Sequence, residues 1–234
     1  MDREAGILYV VATPIGNLRD ITLRGLEVLK SVQLIAAEDT RWTRKLLTHF
    51  DIHVPLVSFN EHNQHKKIPY LLFRLKEGDS IALVSNAGTP AVSDPGAALL
   101  DEAWNKGVTM VPLPGPSALT AIASISGFQS SGFYFAGFLP RRKGKRKKKI
   151  LELASLRDPI IFFESPMRIH TLINELSQAW GDRRMVLARE LTKIHEEIWR
   201  GRFSQFEEQF GKGAMKGEVT IMAAGSLVRE REDV

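Results

Sequence analysis

Short apolar runs alternate along the first half of the chain with longer segments in which apolar residues recur every three or four positions. Ile7–Ala12, Leu34–Ala37, Val54–Phe59, Ser80–Val84 and Val108–Leu113 read as strands. Between them, Ile21–Val32 places Leu23, Leu26, Val28 and Leu29 at helical spacing. Thr40–Phe50, Glu61–Lys76 and Ala97–Lys106 are further helix candidates, and Ala118–Ile125 follows the last of these strands as another. Strand, loop and helix repeated in this way predict an α/β fold with a mostly parallel sheet covered on both faces.

The texture changes after residue 120. Ser124 to Gly132 is rich in Ser and Gly and reads as a linker. Phe133–Leu139 is an aromatic strand, and a helix begins in the basic run behind it and continues through Leu156. Ile160–Phe163 is a strand ending in Glu164-Ser165-Pro166, and Ile169–Trp180 is a helix. Met185–Ala188, Glu197–Arg202 and Glu218–Ala223 are strands, with a helix at Ser204–Phe210. Shorter crossovers predict a mixed sheet here. The expectation is two α/β domains, 1–120 and 121–225, with a cleft between them and a polar tail over 226–234. No repeat of solenoid period is present.

Composition narrows the class. Of 234 residues, 44% are hydrophobic and 25% charged, as in a soluble globular protein. With no cysteine there are no disulfides or thiolate metal sites, which fits a reducing, cytoplasmic setting. The start is charged, and no stretch approaches the roughly 18 apolar residues of a membrane span, so neither a signal peptide nor a membrane partner is expected. The net charge of +5 is local: Arg141, Arg142, Lys143, Lys145, Arg146, Lys147, Lys148 and Lys149 crowd one run, without which 24 basic residues face 27 acidic ones. Such density suits a polyanion, a nucleic acid above all; a solvated helix face, a disordered loop or a nuclear address are the alternatives.

Three strand ends carry related loops: Thr13-Pro14-Ile15-Gly16-Asn17, Ser85-Asn86-Ala87-Gly88-Thr89-Pro90 and Pro114-Gly115-Pro116-Ser117. Glycine permits close approach, proline fixes the turn, and ligands of such sheets lie at the carboxyl ends of the strands. None of the loops has the Gly-x-Gly-x-x-Gly or Gly-Lys-Ser/Thr pattern that cradles phosphates. Glu38-Asp39-Thr40-Arg41 sets two carboxylates beside a cation, and is equally a helix cap. Arg189-Glu190-Leu191-Thr192-Lys193-Ile194-His195 joins an acid, a lysine and a histidine at a strand end, as a proton-transfer site or as an exposed loop. Glu61-His62-x-x-His65 has helical spacing but no third ligand, so no metal is expected.

In order along the chain, "LYVVATPIGNLRDITLRGLEVLKSVQLIAAEDTRWTRKLL", "ALVSNAGTPAVSDPGAAL", "PLPGPSALTAIASISG", "GFLPRRKGKR", "FFESPMRI" and "ARELTKIHEE" resemble the small-subunit ribosomal RNA methyltransferase I family of the tetrapyrrole methylase superfamily. The resemblance covers about Leu8 to Ala224. It implies S-adenosylmethionine as donor, 2′-O-methylation of cytidine 1402 in 16S rRNA on the small ribosomal subunit, and a homodimer. Position by position, it implies a donor pocket of Pro14, Gly16, Asn17, Ser85, Ala87, Gly88, Thr89, Pro90, Gly115, Pro116, Ser117 and Ala118, with Glu164 and Ser165 across the cleft. Asn86 stands where the family usually has Asp, and Ala91 where it usually has Gly. Asn60 and Met167 stand where it commonly has His.

S-adenosylmethionine has no phosphate to anchor, which suits uncharged loops. Its methyl needs no activation; the neutral 2′-hydroxyl does. Strand-end placement nominates Asp39 and Glu190 as bases, and Arg41 and Lys193 as groups that position a phosphate or stabilise the alkoxide. A methylase of small tetrapyrroles shares the fold and donor but has no use for the basic run. An RNA-binding protein with a relic donor pocket is the other rival.

Overall fold

The computed structural model describes residues 4–226. They form two units that divide between Ser117 and Ala118. The helix 118–125 therefore belongs whole to the second unit, where a boundary near residue 120 would cut it. Apart from Ser226, the expected polar tail lies outside the described residues.

The first unit runs β1 (Leu8–Val11), α1 (Leu23–Ser31), β2 (Leu34–Ala37), α2 (Thr40–His49), β3 (Leu56–Ser58), α3 (Gln64–Lys76), β4 (Ile81–Val84), α4 (Ala97–Asn105) and β5 (Met110–Leu113). The strands lie in the order β3-β2-β4-β1-β5, every pair parallel. The side-chain period of two sends successive residues to opposite faces, and helices bury both. Ile35 and Ala37 pack with Leu29, Leu46 and Leu47 on one face. Leu34 and Ala36 pack with Phe59, Leu71, Leu75 and Leu99 on the other. Each large side chain so buried contributes roughly 1.5–3 kcal/mol.

Two helices start later than their apolar pattern suggests, because polar side chains set the starts. Thr22 Oγ1 accepts from Gly25 N at 3.0 Å and begins α1 at Leu23. Asn60 N donates to Asn63 Oδ1 at 2.8 Å, while Asn60 Oδ1 accepts from His62 N and Asn63 N. This closed turn holds His62 outside α3, so Glu61, His62 and His65 do not share a helix face.

The second unit runs α5 (Ala118–Ile125), β6 (Tyr134–Phe138), α6 (Lys143–Leu153), β7 (Ile160–Glu164), α7 (Ile169–Trp180), β8 (Arg184–Arg189), β9 (Glu197–Arg202), α8 (Phe206–Phe210) and β10 (Val219–Ala223). The order is β6-β7-β10-β8-β9; only β6–β7 is parallel, so the sheet is mixed. The last strand takes the centre, and all five of its residues are buried. On one face Ile122 of α5 meets Ile161, Val186 and Met222. On the other, Ile150, Leu172 and Phe206 meet Phe162, Leu187 and Ile221. No helix among the described residues is long and apolar enough to cross a membrane.

Candidate active site

Backbone contacts stitch the three uncharged loops of the first unit together. Thr13 and Gly88 exchange two hydrogen bonds, N to O, each 2.9 Å long. The buried Thr13 hydroxyl donates to Ser85 O at 3.0 Å, and the Ser85 hydroxyl reaches the carbonyls of Ala87 and Gly88 at 3.3 and 3.4 Å. Gly88 has φ +78°, which a side chain rarely adopts, and lies within reach of the Pro116 carbonyl. A β-carbon on Gly115 would stand 2.8 Å from that of Ala12, so the third loop abuts the first only because residue 115 is glycine. Pro14 and Thr89 are half-buried and Pro90 is buried, whereas Gly16 and Asn17 reach solvent. Asn17 Oδ1 accepts from Arg19 N at 3.1 Å and caps a short 3-10 turn. Ser117 and Ala118, both half-buried, are where the chain passes into the second unit.

The neighbouring strand β2 ends in Glu38 and Asp39, and Asn86 ties that end to the second loop. Asp39 N donates to Asn86 Oδ1, and Asn86 N to Glu38 Oε2, both at 3.1 Å. Asp39 caps α2 through Arg41 N at 2.9 Å and receives the Arg41 guanidinium on both oxygens, at 3.1 and 2.6 Å. The hydrogen bonds from Arg41 hold its carboxyl down to about 2, and Asp39 in turn raises the Arg41 guanidinium.

Sequence reasoning passed over Asp94. Burial pushes this carboxyl up to about 6, the charge of Glu38 adds to the rise, and a hydrogen bond from Ser85 opposes it. The available signal was a second turn motif, Ser93-Asp94-Pro95-Gly96, close behind the Gly-Thr-Pro loop. Ala91 and Ser93 hold φ of +66° and +63°, so non-glycine residues bear left-handed backbone beside the site. A hollow of about 840 Å³, lined by Ile68, Leu72, Phe73 and Val108, lies among residues before β1 and β5. That is the amino end of the strands, and its lining is mostly apolar.

In the second unit, Glu164 ends β7 almost fully buried. Its Oε1 accepts from Ser165 N at 2.7 Å. Oε2 has no hydrogen-bond partner, although Arg168 Nη2 stands 3.1 Å away as an ion pair. Burial raises this carboxyl, against the pull of Arg168 and Arg146. Glu190, at φ +52°, is locked: its Oε1 accepts from Lys193 Nζ and from Glu218 N, both at 2.8 Å. A β-carbon on Gly217 would run into the Glu190 side chain at 2.4 Å. The Lys193 hydrogen bond lowers the Glu190 carboxyl, while the two glutamates, against the cost of burial, raise the Lys193 ammonium.

The basic run divides. Arg141, Arg142, Lys143, Lys145, Lys147 and Lys148 are exposed. Arg146 corrects the expectation that all eight face RNA: it is 9% exposed. Its Nε and Nη2 donate to Glu175 at 2.6 and 2.8 Å, and its Nη1 donates to Arg141 O at 3.0 Å. Four-residue helical spacing carries Arg146 and Ile150 to the inward face of α6. Lys149 is half-buried, near Glu152 and the Tyr134 ring.

The described residues thus form two α/β units, one with neutral, glycine-shaped loops at its parallel strand ends. Residues 7–207 match the family described as Tetrapyrrole (Corrin/Porphyrin) Methylases. A cobalt precorrin-4 methyltransferase of cobalamin biosynthesis shares the fold at TM-score 0.68, with 18% identity, over 94% of this chain and 95% of its own. Uroporphyrin III C-methyl transferase from Thermus thermophilus, solved with S-adenyl homocysteine, does so at 0.65, again with 18% identity, over 96% and 99%. Closer in sequence are proteins named Ribosomal RNA small subunit methyltransferase I. That of Thermotoga maritima is 47% identical over 94% of this chain and 99% of its own. That of Synechocystis sp. is 43% identical over 97% and 81%, and that of Vibrio cholerae 51% over 83% and 68%. The chain belongs to the tetrapyrrole methylase family, in the branch that carries the ribosomal RNA small subunit methyltransferase I name.

Proposed function

We propose that the chain methylates RNA of the small ribosomal subunit from S-adenosylmethionine, at the 2′-hydroxyl of cytidine 1402 of 16S rRNA, as a cytoplasmic homodimer. The observation that supports rRNA methylation is 47% identity, over 94% of the chain, to a protein named Ribosomal RNA small subunit methyltransferase I; the cytidine, the 2′-hydroxyl and the dimer follow from the motif resemblance. The residues fit the donor. The three stitched loops contain no charged side chain that would call for a phosphate. In the second unit, Glu164 keeps a buried carboxylate oxygen that has an ion pair with Arg168 but no hydrogen-bond partner. Pro14, Gly16, Asn17, Ser85, Ala87, Gly88, Thr89, Pro90, Gly115, Pro116, Ser117 and Ala118 hold the donor. When bound, it supplies a methyl group already activated by a sulfonium.

What remains for the chain's own residues is to orient the hydroxyl and take its proton. Asp39, at about 2, and Glu190, lowered by Lys193, are weak bases already engaged by their partners. Asp94, near 6, is ionised at neutral pH yet basic enough to accept a proton on its carboxylate. The two engaged acids instead hold Arg41 and Lys193 in place as fixed cations for a phosphate or a developing alkoxide.

For RNA, the six exposed cations of 141–148 supply backbone contacts. Lys143 and Lys145 sit at the positive end of the α6 dipole, where cations oppose helix stability. An anion bound there relieves both. The test is transfer of labelled methyl from S-adenosylmethionine to small subunits lacking the modification, followed by nuclease mapping. Label on one cytidine ribose is expected; donor binding without any labelled rRNA overturns the reading.

A further inference from the structure

Beyond Arg41, the exposed face of α2 has no task in the site described above. From Thr40 to Phe50 the sequence holds Arg41, Arg44, Lys45 and His49 and no acid. Thr43, Leu46 and Leu47 turn inward, which leaves Arg41, Trp42, Arg44, Lys45 and His49 outward. The flanking acids are occupied: Asp39 by Arg41, and Asp51 by His53 at 2.9 Å. Arg44 and Lys45 form no ion pair among the described residues.

Trp42 is 59% exposed, with Lys45 Nζ 4.4 Å from its ring centroid. An indole left in water forgoes the stabilisation that burial would give it. Beside it lies a shallow hollow of about 530 Å³ lined by Arg41, Arg44, Lys45, Thr48 and His49. Cations that track a phosphate backbone, next to an aromatic ring on which a base stacks, are the physical requirements of a single-stranded nucleic acid. The face starts at the end of β2, where Asn86 joins Asp39 to the second strand-end loop.

We infer that the outward face of α2 is an RNA-contacting surface for a single strand, in which Arg44 and Lys45 meet phosphates and Trp42 stacks on a base. It rests on the RNA-methylating reading and adds to it a contact in the first unit, separate from the cationic run of α6.

The probe is a labelled 12-nucleotide single-stranded RNA and, in parallel, the same sequence as a duplex, titrated against full-length protein across salt concentrations. Removing two phosphate contacts with R44Q/K45Q flattens the slope of log affinity against log salt by about 1.4. Trp42→Ala weakens single-strand binding about tenfold, leaves duplex binding within about twofold, and preserves the salt slope. Unchanged S-adenosylhomocysteine binding and circular dichroism establish that the variants are folded. Wild-type slope and affinity in both variants overturn the inference. So does a Trp42→Ala loss equal on single strand and duplex, or one that appears only as altered sedimentation, which would make the patch a protein contact. Methyl transfer by the wild type is scored separately. If small subunits are methylated while the variants bind RNA normally, only the α2 surface falls. If the variants lose the single strand but no rRNA is labelled, the surface stands and the function falls.

Discussion

The strand-end loops of the first unit and the cationic segment of the second solve opposite problems. The loops carry no charge and are held by backbone: the Thr13–Gly88 bridge, the Gly88–Pro116 approach and the tight Gly115–Ala12 contact. The segment carries eight cations in nine residues and is held by charge. Arg146 pairs with Glu175 and bonds the Arg141 carbonyl, while Arg168 Nη2 donates to Leu139 O at 3.0 Å. Backbone stitching suits a small neutral pocket whose shape must be fixed to a fraction of an ångström. Ionic anchoring suits a surface whose remaining charges must stay free for a polyanion. One cation is withdrawn from the surface so that the others are displayed.

If that contrast is right, the largest effect on stability comes from Arg146. Arg146→Ala leaves Glu175 partly buried without its partner, and a loss of about 3 kcal/mol is expected in urea unfolding followed by tryptophan fluorescence. Lys147→Ala, one residue along on the exposed side, changes stability by less than about 0.5 kcal/mol. Equal effects at the two positions would mean that the segment is not anchored through Arg146.

The next effect falls on the other region. Gly115→Ala forces a β-carbon to within 2.8 Å of Ala12 and displaces the third loop. Titration with S-adenosylhomocysteine is expected to show affinity about tenfold weaker, with overall stability within about 1 kcal/mol of wild type. Undiminished affinity would show that the loop contact does not shape the pocket.

These two residues also show what was legible beforehand. Gly115 sits in Pro-Gly-Pro-Ser at the end of an apolar run, and both the turn and its strand-end position follow from local chemistry. Leu34–Ala37, Ala118–Ile125, Ile169–Trp180 and Glu197–Arg202 were legible to the residue for the same reason. Arg146 looks like its neighbours in a list of cations. Its burial depends on Glu175, a partner 29 positions away on another helix. Asp94 was hidden in a similar way, because its shift comes from burial first and then from Glu38, with Ser85 opposing, none of which the local sequence shows. The starts of α1 and α3 were misplaced because side-chain caps at Thr22, Asn60 and Asn63 overrule the apolar period.

Asp94 supplies a pH-dependent test. Its folded pKa of about 6 lies above the ordinary aspartate value of 3.8, so folding favours the protonated acid. That contribution is complete below about pH 3.8 and is lost as the pH rises through 6. Asp94→Asn is therefore expected to be more stable than wild type at pH 8 by about 1 kcal/mol, after allowance for solvent screening of a partly exposed group. The gain should vanish near pH 3.5, while turnover falls at least tenfold at pH 7–8, a difference that narrows as the pH drops below 6 and the wild-type carboxyl is itself protonated. A gain that is independent of pH would mean that the carboxyl is not strained by burial.

The smallest effect contrasts left-handed residues in the two units. Ala91, at φ +66°, has no hydrogen-bonding side chain to compensate its conformation. Relief of roughly 1 kcal/mol of backbone strain in Ala91→Gly is partly offset by the entropy of a glycine in the unfolded chain. A net stabilisation of about 0.5 kcal/mol is expected. Glu190 is also left-handed, but its carboxylate binds Lys193 and the Glu218 backbone. Glu190→Gly gains the same relief and loses both bonds, so it should destabilise by about 1 kcal/mol. Paired thermal unfolding of the two variants reads the difference in sign. A gain in both would mean that the 190–196 loop, like the loops of the first unit, is shaped by backbone and that its ion pair contributes nothing to its hold.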